Sequence, residues 1–452
     1  MATIRFNDAL RIAAFAIQSS DLPADMPVRI IRDVYGRIRF ALNCESAQYP
    51  QAARLQLEAV QKSLGGFATS ADALFRDDFS NPDAIFNSED WHRTTVSAEA
   101  DEDGVAAPDV SVWVLDRQIT GKDWLNASTP DASQRPHRLV FYGLKGGVGR
   151  STALAMVAYG LARQGKRVLL VDFDLESPGL SGLLIPPERV AEFGLVDWFV
   201  EDAVGQGEAV LRSMVSMSPL AETTTGDIRV AAAMGQAEQA YLAKLARAYA
   251  DIPGAAGPQR FAARMRRILE LLEAQEKPDV VLIDSRAGLH DIGAVSITSL
   301  ADTALLFATD SPQNWLGYEQ LFRHWQHRPV VCMQVRERLA IVRALAPQSD
   351  RERRVRVFQE HAYELFASTL YDEIAPLAND SPAAMAQAEQ DYFNPPMEDE
   401  SAPHFPILVD WDDRFQEFDP SLRPEHGGVR DAQINATFGA LIDWVTTRIS
   451  GV

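Results

Sequence analysis

From residue 138 onward the chain alternates short, predominantly apolar runs with longer amphipathic ones, and this alternation narrows the fold more than any other feature. The apolar runs are 138–143, 167–174, 228–233, 279–285, 303–309, 329–335 and 405–411. Most are rich in Val, Leu and Ile and lack polar alternation, as expected of strands covered on both faces by helices. Helical patterns lie between them at 151–164, 237–249, 258–275, 314–326, 351–369 and 429–448. Seven strands separated by helices predict an α/β fold, a doubly wound and mostly parallel sheet.

The segment before these runs is built differently. Residues 28–34 and 37–42 alternate apolar and charged side chains around Tyr35-Gly36, which predicts a hairpin. A helix is expected over 51–64 and a strand over 110–115, so 1–125 is expected to form an N-terminal α+β domain of unknown role. Trp91-His92 is taken as a packing or surface pair. The acidic stretch 97–109 predicts an exposed loop. The turn-forming, proline-containing stretch 126–137 predicts a linker to a second domain over 138–452. Within that domain, 377–404 holds six acidic residues, no Lys or Arg and four prolines, which predicts a mobile insertion.

Charge and cysteine content then exclude several functions. Lys and Arg total 43 against 63 Asp and Glu, a net charge of −20. A surface this acidic repels nucleic acid and anionic lipid, because phosphate binding needs clustered cations. The local exception is 336–356, with Arg336, Arg338, Arg343, Arg351, Arg353, Arg354 and Arg356. It is either a helix face paired to Glu337, Asp350 and Glu352 or an interface. Cys44 and Cys332 cannot build a disulfide framework, a zinc cluster or an iron–sulfur site within one chain. A basic leader and any run of 18 apolar residues are lacking, so a cytoplasmic location and no membrane partner are expected. The amphipathic run 429–448 carries only Arg430 and Arg448 as basic residues and is expected to dock onto the sheet.

The strongest chemical motif is Leu144-Lys145-Gly146-Gly147-Val148-Gly149-Arg150-Ser151-Thr152, which follows a strand and opens a helix. Backbone N–H groups of such a loop, with the helix N-terminus, form a nest for phosphate oxygens. Glycines let the backbone approach the phosphate, and Ser151 stands where a hydroxyl would ligate Mg²⁺. The strict P-loop pattern is broken at Leu144 and at Arg150.

Lys145-Gly-Gly-Val-Gly resembles the deviant P-loop of the MinD/ParA family of ATPases, in which an additional lysine precedes the double glycine. Two further motifs agree. Residues 168–175 look like the family's second strand with its paired aspartates, Asp172 and Asp174. Residues 280–285 look like a Walker B strand ending in Asp284. The resemblance covers 138–335 well, 405–450 loosely and 1–137 not at all. Arg150, where the family carries its second lysine, is a departure.

That resemblance implies roles. Lys145 would reach across an ATP-dependent homodimer to the partner's phosphates, and Arg150 would contact the β- and γ-phosphates of its own chain. Gly146, Gly147, Val148, Gly149 and Thr152 would complete the phosphate cradle. Ser151 and Asp284 would hold Mg²⁺, Asp172 would support the metal, and Asp174 would orient the attacking water. Arg286, in the loop 284–291, would pair with an acidic lid, report the γ-phosphate or stay in solvent. Adenine would sit near the ends of the strands at 329–335 and 405–411, which singles out Gln334 and Asp410–Asp412. Tyrosine kinases with a similar core end in a tyrosine cluster, whereas the last tyrosine here is Tyr392. The expected function is an ATP-binding, ATP-hydrolysing switch that dimerises on ATP and regulates or positions a protein partner. The alternatives are a nucleotide-binding module without turnover because of Arg150, and a partition-type DNA-associated ATPase.

Overall fold

A computed structural model describes residues 3–69, 72–88, 90–97, 108–128, 135–236, 240–253, 258–373, 392–416, 418–419, 422 and 428–451. Most of the acidic stretch 97–109, the middle of the linker 126–137 and the first half of the insertion 377–404 lie outside the described residues. The chain divides into two compact units, Met1–Lys122 and Asp123–Val452.

The first unit holds a four-stranded sheet of β1 (Val28–Arg32), β2 (Ile38–Leu42), β3 (Trp91–Val96) and β4 (Val110–Asp116), in the order β2-β1-β4-β3. The predicted hairpin is there: β1 and β2 pair antiparallel around Tyr35-Gly36. Gly36 adopts φ +81°, and the Asp33 carboxylate accepts the amides of Tyr35 and Arg37 to close the turn. β4 runs parallel to β1, and Trp91 opens β3 antiparallel to β4. Helices Phe6–Ser19 and Gln51–Ser63 bury Ala9, Ala13, Ala53 and Leu57 against Ile30, Phe40 and Val112.

The second unit is an eight-stranded sheet among the described residues, ordered β12-β11-β10-β5-β9-β6-β8-β7. Its strands are β5 (His137–Gly143), β6 (Arg167–Asp172), β7 (Val215–Met217), β8 (Asp227–Ala231), β9 (Val280–Asp284), β10 (Thr303–Ala308), β11 (Leu339–Ala346) and β12 (Ile407–Asp410). All neighbours pair parallel except β7 with β8. Strand order reverses about β5, and open α/β sheets bind ligands at the carboxyl end of such a switch point. Both faces are buried: Val140 and Ile283 point into one apolar cluster, Leu139 and Leu282 into the other. Helix Asp431–Ser450 packs on helix Arg150–Arg163, so closely that a Cβ on Gly160 would lie 2.7 Å from the Ile442 side chain.

One expected strand is a helix. Residues 329–335 fall in helix Pro329–Arg336, with Pro329 at its first turn. Val331, Cys332 and Val335 are buried there while Val330 and Met333 are exposed, a helical period that a seven-residue apolar run conceals. The strand that takes the place beside β10 is β11, whose central Arg343 disguised it as part of a basic patch.

A part-buried ion pair fastens the amino ends of β5 and β10. Arg135 meets both carboxylate oxygens of Asp302 at 2.7 Å, and the Arg138 amide donates to the same group at 2.8 Å. Burial pushes the Asp302 carboxyl up, but Arg135 and the amide outweigh it and hold the group below its ordinary value near 3.8. A depressed carboxylate stabilises the fold above its unfolded value, and that contribution is lost as pH falls through the folded one. Asp302→Asn is therefore expected to cost about 1.5–3 kcal/mol at pH 7, as for hydrogen bonds to a charged group. In paired urea melts the difference from wild type should shrink below about pH 4.

Candidate nucleotide-binding site

The glycine loop joins β5 to helix Arg150–Arg163 at the switch point of the sheet. Gly147 and Gly149 adopt φ +77° and +75°, a left-handed conformation that other residues enter only with strain. At Gly149 space is also short, since a Cβ there would stand 3.2 Å from Leu345 Cδ2. Val148 is buried and anchors the loop, whereas Lys145, Gly146 and Gly147 are exposed. The amides and Lys145 thus border solvent where a phosphate would enter.

Parallel pairing brings the carboxylates to the same edge. Asp172 ends β6, Asp284 ends β9, and the two are register partners. Ser151 Oγ donates to Asp284 Oδ2 at 2.6 Å. Asp172 is fully buried and accepts the amides of Asp174 and Leu180 at 3.1 and 3.2 Å. Burial, then the charges of Asp284 and Asp174, push its carboxyl well above the ordinary range. Burial likewise raises Asp174, and Arg150 only partly opposes it.

Arg150 lies among these acids. Its Nε donates to Asp284 Oδ1 at 2.7 Å and its Nη2 to Asp174 Oδ2 at 3.2 Å. Burial alone would lower its pKa, but the two carboxylates raise it further, so the guanidinium is charged. Its Nη1 and the Asp174 Oδ1 are buried and have no hydrogen-bond partner. Ser151 Oγ and the Asp284 carboxylate are the oxygens that would hold Mg²⁺ once a nucleotide adds its phosphate oxygens, since this hard cation uses one or two protein oxygens and keeps waters and phosphates as its other ligands. The orphaned Asp174 Oδ1 is a further oxygen of the same kind.

The loop after β9 closes over this edge. Gly288 adopts φ +83°, donates its amide to Gly143 O at 3.1 Å and accepts the Tyr142 hydroxyl at 3.0 Å. Arg286 pairs with Glu176, two residues beyond Asp174. Glu176 also accepts the Tyr249 hydroxyl at 3.2 Å and lies 3.5 Å from His290 Nε2. Burial, aided by Arg286, lowers the His290 pKa, which leaves the ring neutral at pH 7. Glu176 carries no motif in the sequence because its partners come from two other segments, the end of the helix at 241–248 and the loop after β9; its closeness to Asp174 was the one available signal.

Adenine candidates divide. Gln334 sits on helix Pro329–Arg336, where its carbonyl accepts Arg338, so its placement at a strand end is overturned with the strand itself. Asp410–Asp412 do lie at a strand end, beside a cavity of about 700 Å³ lined by Leu345, Pro347, Gln348, Asp410, Trp411 and Asp412. Leu345, with φ +52°, links this cavity to Gly149. The carboxylates of Asp410 and Asp412 are engaged by Arg351 and Arg414. Leu345, Pro347 and the half-exposed Trp411 ring supply an apolar part of the lining, and Gln348, Ser349 and Thr437 a polar part.

The run 336–356 is not one basic face. Arg336 is buried on Asp372, Arg338 donates to backbone carbonyls, and Arg343 lies inside β11 over the Phe358 ring. Arg351 and Arg353 pair with Asp410 and Asp350. No described helix is long and apolar enough to cross a membrane.

Residues 137–327 match the family described as "AAA domain". The chromosome-partitioning ATPase Soj of Thermus thermophilus is 48% identical over 52 residues, 12% of this chain. The matched stretch spans about a fifth (21%) of that relative's length. Among solved structures, a ParA family ATPase from Chlorobium tepidum is 16% identical, covering 57% of this chain and 90% of that one at a TM-score of 0.35. The pNOB8 ParA bound to nonspecific DNA is 15% identical, covering 70% of this chain and 99% of that one at a TM-score of 0.38.

Proposed function

We propose that this chain, whose residues 137–327 match an AAA domain and whose glycine loop and strand-end aspartates resemble those of the ParA/MinD ATPases, is an ATP-driven switch that acts on a protein partner. The observation that carries this reading is the Ser151–Asp284 hydrogen bond at the mouth of the glycine loop, with Asp174 alongside. Loop amides 146–152 would hold the phosphates, and the Leu345–Trp411 cavity would take the base. Ser151 and Asp284 would hold Mg²⁺, which supplies charge neutralisation on the β- and γ-phosphates. Asp174 would orient water, and Asp172 would brace the strand end through its two amide contacts.

Lys145 supports a dimeric switch. It is exposed one residue before the double glycine, where the loop amides already provide for a phosphate bound in its own chain. Leu289 and Leu316 are also exposed beside the loop, at 56% and 58%. A second copy laid over this face would cover both leucines and receive Lys145. A lysine reaching a buried phosphate across an interface contributes about 2–5 kcal/mol. With a non-hydrolysable ATP analogue, wild type should reach twice the monomer mass in light scattering. Lys145→Ala should bind the analogue in calorimetry yet remain monomeric. If both proteins dimerise equally, or neither does, Lys145 is not a contact between copies.

One observation favours a second reading, nucleotide binding without turnover. Arg150 occupies both Asp284 and Asp174, the groups that hydrolysis would need. A steady-state ATPase assay, with and without added partner proteins, separates the two.

A further inference from the structure

An ammonium in the place of Arg150 would be a single point charge on a flexible stem. A guanidinium is a planar fork that spans two acceptors. Here the fork joins Asp284 to Asp174 across 2.7 and 3.2 Å, and its side chain is 9% exposed. The Asp284 oxygen it holds, Oδ1, belongs to the same carboxylate that orients Ser151. A divalent cation approaching Ser151 would thus meet a fixed positive charge and a carboxylate already spent. Asp172 offers no substitute, because both its oxygens face backbone amides. Two atoms of this cluster remain unspent, Arg150 Nη1 and Asp174 Oδ1, both buried. The fork therefore keeps one donor edge in reserve while its other two nitrogens neutralise the acids.

Resting on the phosphate-loop reading above, we propose that Arg150 is a built-in counter-ion that holds divalent metal out of the empty site. The arginine that departs from the family pattern is then a regulatory substitution: metal has no place until nucleotide brings its own oxygens.

Binding of Mn²⁺ alone, read from the loss of its free-ion electron paramagnetic resonance signal, tests this on the full chain without nucleotide. Wild type is expected to leave Mn²⁺ free. Arg150→Gln is expected to bind one Mn²⁺ at least ~10²-fold more tightly, the order of effect of removing one near charge at an interior dielectric near 20. Adding Asp284→Asn to that variant should abolish the gain. Arg150→Lys, which keeps the charge but loses the fork, should fall between. Circular dichroism melts establish that each variant is folded. The proposal is overturned if wild type binds Mn²⁺ as tightly as Arg150→Gln, or if neither folded variant gains binding. Failure of the nucleotide reading looks different: wild type would still exclude Mn²⁺ but bind no ATP analogue in calorimetry.

Discussion

Asp174→Ala is expected to slow ATP hydrolysis at saturating ATP by at least ~10²-fold, the usual contribution of a positioned proton-handling group. Nucleotide affinity should change little, since the loop amides are untouched. Two features single Asp174 out among the three acids at this edge. It keeps one buried oxygen, Oδ1, without a partner, whereas both oxygens of Asp172 accept backbone amides. It also sits in the loop that Glu176 ties to Arg286, so its position answers to the segment after β9. Unchanged turnover in Asp174→Ala, measured beside Asp172→Ala, would remove Asp174 from the reaction.

Asp202→Ala is expected to destabilise the second unit by about 3–5 kcal/mol, the cost of leaving a buried charge without its partner. Arg264 is completely buried, and its Nε meets Asp202 at 3.1 Å. Asp202 is 2% exposed and also receives Arg267 at 2.7 Å. The rest of the Arg264 guanidinium donates to carbonyls of Phe199, Ala248 and Ala250, which satisfy hydrogen bonds without neutralising charge. Replacing both partners, as Asp202→Leu with Arg264→Met, should recover the part of the loss due to the uncompensated charge, less the cost of the carbonyls that lose Arg264 as a donor. A double mutant no more stable than Asp202→Ala in urea melts would locate the cost in packing instead.

Much of this protein is legible in its sequence because the relevant physics is local. Wholly apolar runs such as 280–283 can persist only where both faces are covered, so they imply a buried parallel sheet without knowledge of their neighbours. The positive φ at Gly147 and Gly149 is a property of the loop itself, so the glycines mark its conformation without knowledge of distant partners. Asp172 and Asp284 end apolar runs, and a parallel sheet brings all such ends to one edge.

What only the tertiary structure decided involves partners far apart in the chain. Arg150 contacts Asp284 across 134 residues, and a guanidinium placed beside a glycine loop gives no local sign that it will face inward to acids. Glu176, Arg286, Tyr249 and His290 meet through three different loops and helices. Residues 329–335 and 339–346 are both short and apolar, and periodicity cannot rank two such runs as strands. The choice fell to the slot beside β10, where Leu339 to Arg343 pair with Ala304 to Ala308, while Val331, Cys332 and Val335 need one helical face to reach the core. Propensity acts over a few residues; which charge meets which, and which run fills a sheet, depends on free energy gained only when distant segments are brought together.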